Sequence, residues 1–132
     1  MKRVCSILAA ACALGVAAGL LVAQPAPSVK RTVLMKQDAS VPGREVIMAL
    51  VELPPGSSEG KHTHPAEVYA YVLDGTPTLW IEGKPTQTFK AGDVFTIGPG
   101  QVHEGSNKSA APVRISAVFF AEKGKPLTTP VP

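Results

Sequence analysis

The three histidines of the chain are its best candidates for chemistry. Two of them stand in the sequence His62-Thr63-His64, and the third, His103, follows the turn Gly98-Pro99-Gly100. Side chains at positions i and i+2 of a strand project from the same face, so the first two imidazoles can reach one metal ion if this segment is extended. Imidazole nitrogen binds Fe, Mn, Ni, Cu or Zn. The spacing therefore predicts a site for a divalent first-row transition metal.

Other functions are less well supported by the residue pattern. Histidines in a surface loop would show the same spacing, and this alternative stays open at the level of the sequence. The chain contains no G-x-S-x-G elbow and no G-x-x-x-x-G-K-[ST] phosphate loop. It also has no run of Lys and Arg longer than two residues, which argues against nucleic acid as a partner. A small-molecule ligand is the expected partner.

The elements that must position these histidines are predicted to be strands of one domain. A length of 132 residues with 45% hydrophobic side chains fits a single packed domain. After Ala23, short runs rich in Val, Ile, Thr, Phe and Tyr alternate with Gly and Pro turns, which is typical of an all-β sandwich or small barrel. The predicted strands are 30–36, 44–53, 68–73, 78–82, 86–90, 94–97 and 113–121.

Residues 1–23 have the pattern of a signal peptide. A basic start is followed by residues 4–23, which carry no charge. Cleavage after Ala23 is expected, and the predicted location is periplasmic or secreted. An uncleaved membrane anchor, or a lipoprotein modified at Cys12, is the alternative, and only then would the protein contact a membrane. Cleavage would remove both cysteines, Cys5 and Cys12, so no disulfide is expected in the mature chain.

Two longer stretches resemble the motifs of the cupin family. The first family motif reads G, five residues, HxH, three or four residues, E, six residues, G, and the chain matches it from Gly56 to Gly75. The second reads G, five residues, PxG, two residues, H, three residues, N, and the stretch from Gly92 to Asn107 resembles it, with Gly98 in place of the usual proline. In both stretches the spacing from glycine to histidine agrees with the family.

The resemblance implies a fold and a division of the chain. The implied fold is a single cupin jelly-roll β-barrel, all-β, with a metal ion at its mouth. A homodimer is also compatible with the resemblance, with Tyr69 and Tyr71 as outward candidates. The predicted segments are a signal peptide at 1–23, a linker and N-terminal strand at 24–43, a cupin barrel at 44–121 and an extended C-terminal tail at 122–132.

The glutamate of the first motif is displaced in this chain. Counting six residues back from Gly75 reaches Val68, whereas Glu67 stands one position earlier. Strand parity sends Glu67 to the outside unless a bulge near Pro65 and Ala66 turns it inward. The predicted metal ligands are His62, His64, Glu67 and His103, with a three-histidine site as the alternative.

These residues predict an exported metal-binding cupin. The resemblance implies a metal-dependent oxygenase or isomerase-type enzyme acting on a small organic molecule, and dioxygenase-like chemistry is among its members. The first alternative is a non-catalytic module that binds or senses a small molecule or a metal. The second is a purely structural cupin. Trp80 and Phe95 are candidates for lining a ligand pocket.

Overall fold

The computed structural model describes residues 24–132, and the predicted signal peptide at 1–23 lies outside the described residues. All regular elements in this part of the chain are strands. None of its segments forms an apolar helix of the length needed to cross a membrane.

The strands form two antiparallel sheets with jelly-roll connections. The first sheet has the order β1-β2-β9-β4-β7, and the second has the order β10-β3-β8-β5-β6. Most neighbours within a sheet are not consecutive in the chain, as expected for a jelly roll, and the predicted all-β cupin fold is confirmed. The strands are β1 Lys30–Asp38, β2 Arg44–Leu53, β3 His62–Thr63, β4 Ala66–Asp74, β5 Thr78–Ile81, β6 Gln87–Thr88, β7 Val94–Ile97, β8 His103–Ser106, β9 Val113–Glu122 and β10 Thr129–Pro130.

The long strands of the first sheet form the wall of the core. Strands β2, β4 and β9 alternate between buried and more exposed residues, because one face packs inside the barrel and the other faces outward. Burial of one such apolar side chain stabilises the fold by about 2 kcal/mol. The buried residues of these three strands include Ile47, Val51, Leu53, Val68, Val72, Val113, Ile115 and Phe119.

The observed strands differ from the predicted ones where the pattern is weakest. Strands β2 and β7 have the predicted bounds, whereas the predicted strand 86–90 shrinks to Gln87–Thr88. Strands β3, β8 and β10 were not predicted. Strand β8 has the sequence His-Glu-Gly-Ser, which contains no Val, Ile, Thr, Phe, Tyr or Trp. Its extended shape comes from pairing with β5 and β3, which only the tertiary fold supplies.

Strand β1 is an edge strand with an unusual exposure. It pairs with β2 along its length, with an irregularity between Val33 and Met35. All nine of its residues are exposed. It therefore adds little to the core, but it carries Arg31 to the rim of the barrel.

Asn107, the last residue of the second motif, has a structural role. Its side chain is buried, and its amide donates hydrogen bonds to the carbonyls of Leu53 and Ala111 at 2.9 and 2.7 Å. These bonds connect the end of β2 to the loop that precedes β9. Asn107 thus stabilises the barrel away from the histidines.

Candidate metal centre

The three histidines converge on the second sheet. His62 in β3 pairs in register with His103 in β8, and His64 follows β3 directly. Their ring centroids lie 4.2, 4.7 and 5.0 Å apart. One side-chain nitrogen from each histidine lies within 4.8 Å of the other two. The structure therefore brings together histidines that lie up to 41 positions apart in the chain, as the sequence motifs predicted.

A backbone carbonyl orients each imidazole ring. The Nδ1 of His62 lies 2.7 Å from the carbonyl oxygen of Gly60, and the Nδ1 of His103 lies 2.9 Å from that of Gln101. The Nδ1 of His64 lies 2.6 Å from the carbonyl oxygen of Leu127. A carbonyl oxygen only accepts, so Nδ1 must carry the proton and donate in all three rings. The lone pair of each neutral ring is then on Nε2.

The free Nε2 atoms fit a metal ion. In the described part of the chain, the Nε2 of His62 is buried and has no hydrogen-bond partner. A buried acceptor without a partner costs about 1 to 3 kcal/mol. A metal ion bound to Nε2 would remove this cost, and a metal-binding histidine usually donates its other N–H to a carbonyl or carboxylate in this way. The three residues therefore have the donor set and orientation of a metal site.

Burial favours the neutral form of two of the three rings. His62, His64 and His103 are only 2%, 4% and 1% exposed. Loss of solvent lowers the pKa of His64 to about 4, and the neighbouring His103, His62 and Arg31 add to the effect. Burial is also the main cause of the lowered pKa of His103. Neutral imidazole is the form that binds metals, so these two rings are ready to bind at neutral pH.

The structure does not bring Glu67 to the histidines. The pairing of β4 with β9 is regular from Ala66 to Val72, so the bulge that would turn Glu67 inward is not present there. Val68 is buried against the cavity, and Glu67 lies on the exposed face. The hydroxyl of Tyr69, two residues along the same face, donates to Glu67 Oε2 at 2.5 Å. The three-histidine arrangement is the one that the structure shows.

The C-terminal tail takes part in the site, which sequence reasoning did not foresee. The carbonyl of Leu127 accepts the Nδ1–H of His64 across 63 positions of the chain. Beyond it, Thr129 and Pro130 pair with Thr63 and His62 as strand β10. The only signal in the sequence was the proline-rich, extended composition of the tail, which predicted its shape and not its partner.

A small cavity adjoins the histidines inside the barrel. Its volume is about 40 Å³. His64 and His103 line it at the second sheet, and apolar side chains of the first sheet line the opposite wall. Arg31 and Glu59 complete the lining, and the sequence pattern had pointed to neither. The apolar lining residues are Val51, Val68, Ala70, Phe95, Ile97, Ile115, Ala117 and Phe119.

Of the two aromatic candidates, the structure brings only Phe95 to this cavity. Trp80 lies in a separate groove with Glu104, and the ammonium of Lys61 is 4.7 Å from the centre of its ring. Glu104 accepts a hydrogen bond from the hydroxyl of Ser58. Both Trp80 and Glu104 thus belong to the outer surface of the second sheet.

The sequence profile of the cupin domain family matches residues 49–119. This stretch is more than half of the chain and includes the three histidines and most of the core. The protein therefore belongs to the cupin family.

Solved structures share the fold at low sequence identity. A conserved protein with a double-stranded β-helix domain from Klebsiella pneumoniae has a TM-score of 0.64 at 22% identity, covering 78% of this chain and 89% of its own. A cupin 2 conserved barrel domain protein from Salinispora arenicola has a TM-score of 0.57 at 25% identity, covering 70% and 75%. The DMSP lyase DddQ from Ruegeria pomeroyi has a TM-score of 0.58 at 22% identity, covering 65% of this chain and 43% of its own. No curated protein matches the sequence.

Proposed function

We propose that this protein is an exported cupin that holds a divalent first-row transition metal through His62, His64 and His103. One observation carries the proposal: all three Nδ1 atoms face backbone carbonyls at 2.6 to 2.9 Å, which leaves the Nε2 lone pairs free. Within residues 24–132 no fourth ligand joins the three histidines, which keeps coordination positions open. The signal-like pattern of residues 1–23 supports export.

The chemistry proposed is an oxygenase or isomerase-type reaction on a small organic molecule. A metal bound here would supply Lewis acidity or redox chemistry. The chain itself supplies three imidazole ligands and an apolar wall on the opposite side of the cavity. In Ruegeria pomeroyi the same fold forms a DMSP lyase, which supports catalysis as a use of the fold but not that particular reaction.

A non-catalytic binding module is the second candidate, and a specific observation favours it. Among the residues that line the cavity, the described chain offers one carboxylate, Glu59, and this group is already paired with Arg31 at 2.6 Å. Glu67 lies outside. No unpaired general acid or base therefore stands beside the histidines, so the same site would serve to hold a metal or a small ligand.

The first experiment is elemental analysis of the mature protein purified without chelator. We expect about one metal ion per chain in the wild type, because three imidazoles converge on one point. His62→Ala should lose the metal, and Glu67→Ala is the matched control that should keep it, because Glu67 is on the outer face. A wild type that stays metal-free after reconstitution would overturn the proposal.

A second measurement separates the enzyme from the binding module. The loaded protein is screened for oxygen uptake and for isomerisation with panels of small organic molecules, one metal at a time. An enzyme should show turnover with one particular metal, and His103→Ala should abolish it. Ligand affinity without turnover under every metal would support the binding module instead.

A further inference from the structure

An ion pair at the rim of the cavity has no role in holding the metal. Arg31 on β1 donates from Nη2 to Oε1 of Glu59 at 2.6 Å. Both side chains line the cavity together with His64 and His103. Among the residues described, they are the only charged groups in its lining. Any anion that enters this cavity therefore meets Arg31.

The carboxylate of Glu59 lies in the space beside Gly105 that a side chain at that position would fill. Its side chain is 14% exposed, and its backbone N–H donates to the carbonyl of Gly105 at 2.9 Å. Gly105 and His103 are two positions apart on β8 and so point to the same face. A β-carbon on Gly105 would lie 2.4 Å from Oε2 of Glu59. A glycine inside a strand often marks such a close approach of another group.

Arg31 keeps donors available for a second acceptor. A guanidinium carries five N–H donors, and within residues 24–132 Arg31 uses one in a hydrogen bond, the one to Glu59. Its side chain is 36% exposed and lies on the outermost strand of the sheet. The side chain can therefore change its partner without disturbing the packing of the core. The carboxylate of a ligand has the same planar pair of oxygens as Glu59 and can take its place.

We propose that Arg31 is the anion-binding residue of the cavity, and that Glu59 holds the position that the carboxylate of a small organic acid takes on binding. Binding breaks the Arg31–Glu59 pair, forms a new pair between Arg31 and the ligand, and moves the Glu59 carboxylate outward. With the pair closed, the cavity of about 40 Å³ has room for only a few water molecules. The ligand is therefore an acid of few atoms, or one whose remainder extends through the opened rim.

This inference deepens the proposed function and rests on it only in placing the ligand beside the metal. The test uses the metal-free mature protein, so that acetate cannot bind to a metal ion instead. Acetate and its neutral counterpart acetamide are titrated while amide shifts of Gly105 and its neighbours are followed by NMR. The variants are Arg31→Gln, Glu59→Gln and Glu59→Ala, with Lys30→Gln as the control. Lys30 lies on the same strand and is paired with Glu52 at 3.7 Å, outside the cavity lining.

Removal of the internal carboxylate should strengthen acetate binding. We expect both Glu59 variants to bind acetate about 5-fold or more tightly than the wild type, since the ligand no longer competes with Glu59. Arg31→Gln should lose acetate binding, Lys30→Gln should behave as wild type, and acetamide should bind weakly throughout. Equal affinity of the Glu59 variants for acetate and acetamide would overturn the proposal, as would wild-type acetate binding by Arg31→Gln.

The metal content of the same variants separates the two proposals. Arg31→Gln should retain the wild-type metal content because Arg31 is not a ligand. A wild type that binds no metal but shows Arg31-dependent acetate binding would overturn the proposed metal site and leave the anion site standing. Normal metal binding without any preference for acetate over acetamide would overturn the anion site and leave the proposed metal site standing.

Discussion

At the scale of single residues, the state of the site depends on which nitrogen of each imidazole carries the proton. Three backbone carbonyls fix that choice, because each accepts a hydrogen bond from Nδ1. The rings of Phe119 and His64 pack in a T-shaped arrangement with their centroids 5.0 Å apart, so Phe119 supports His64 from the apolar side. Orientation by backbone atoms resists substitution, since most side-chain changes leave a carbonyl in place.

Gly75 provides a prediction at the residue scale, because both its backbone angle and the space around it favour glycine. It has a φ of 80°, which disfavours any residue with a β-carbon, and an added β-carbon would lie 2.4 Å from the carbonyl oxygen of Pro112. We expect Gly75→Ala to lower the free energy of unfolding by about 1 kcal/mol for the backbone and about 1 to 3 kcal/mol more for the clash. Urea denaturation would measure the change.

Gly83 is the matched control for this substitution. It has a similar φ of 76° but no atom within 4 Å of an added β-carbon. Gly83→Ala should therefore show the backbone cost alone, about 1 kcal/mol. Equal destabilisation of the two variants would mean that the barrel yields at Pro112 and that crowding adds nothing.

At the scale of elements, the short strands β3, β8 and β10 position the histidines, whereas the long strands supply most of the buried apolar residues. His62 and His103 face each other because β3 pairs with β8, and β10 closes the edge of the same sheet. Strand β10 is only two residues long, and the backbone N–H of Val131 adds one hydrogen bond to the carbonyl of Lys61. The tail is thus held by few hydrogen bonds, and one of its carbonyls contacts His64 specifically.

Truncation after Lys125 tests the role of the tail. It removes the carbonyl of Leu127 and all of β10, so His64 loses the acceptor that orients it. Loss of such a supporting contact usually weakens metal binding by about 10-fold or more. Competition with a chromophoric chelator would measure the affinity, and a thermal melt would show that the shortened barrel is folded. Removal of Pro132 alone is the control, and unchanged affinity in a folded truncation would contradict this role.

At the scale of the whole molecule, the two sheets contribute different parts of the site. The second sheet supplies the histidines, and the first sheet supplies most of the apolar wall that faces them. This arrangement buries three ionisable rings in a low-polarity interior. The stability of the metal-free protein must therefore depend on pH.

We expect the metal-free protein to lose stability as the pH falls below 6.5. The pKa of His64 is about 4 in the folded state and near its ordinary value of 6.5 in the unfolded state. The unfolded chain therefore takes up the proton first, and the loss runs from pH 6.5 down to about pH 4. The positive or ionisable groups that favour the neutral ring are His62, His103 and Arg31.

The size of this effect can be measured by urea denaturation at pH 7 and pH 5. His64 alone should lower the free energy of unfolding by about 2 kcal/mol between these two values. His103 adds to the loss in the same direction, since its pKa is also lowered. His64→Gln should remove the His64 part of the difference, and a wild-type stability that is flat over this range would contradict the prediction.

The fold could be predicted to a large extent from the sequence, and the reasons are local. Strands β2, β4 and β9 are runs rich in apolar, β-branched and aromatic residues, and Gly and Pro mark the turns between the runs. The short strands escaped prediction because two to four residues are too few to show a strand pattern. Their shape comes from their neighbours in the second sheet.

The all-β class, the cupin motifs and the three histidines at their centres follow from the residue pattern alone. That Val68 and not Glu67 faces the cavity does not follow from it, because this depends on the register of β4 against β9. The tertiary structure also decided that Leu127 orients His64 and that Arg31 pairs with Glu59, contacts that span 63 and 28 positions of the chain. Periodicity records which face a residue takes on its own strand, whereas contacts between distant segments arise only when the strands have paired and the sheets have packed.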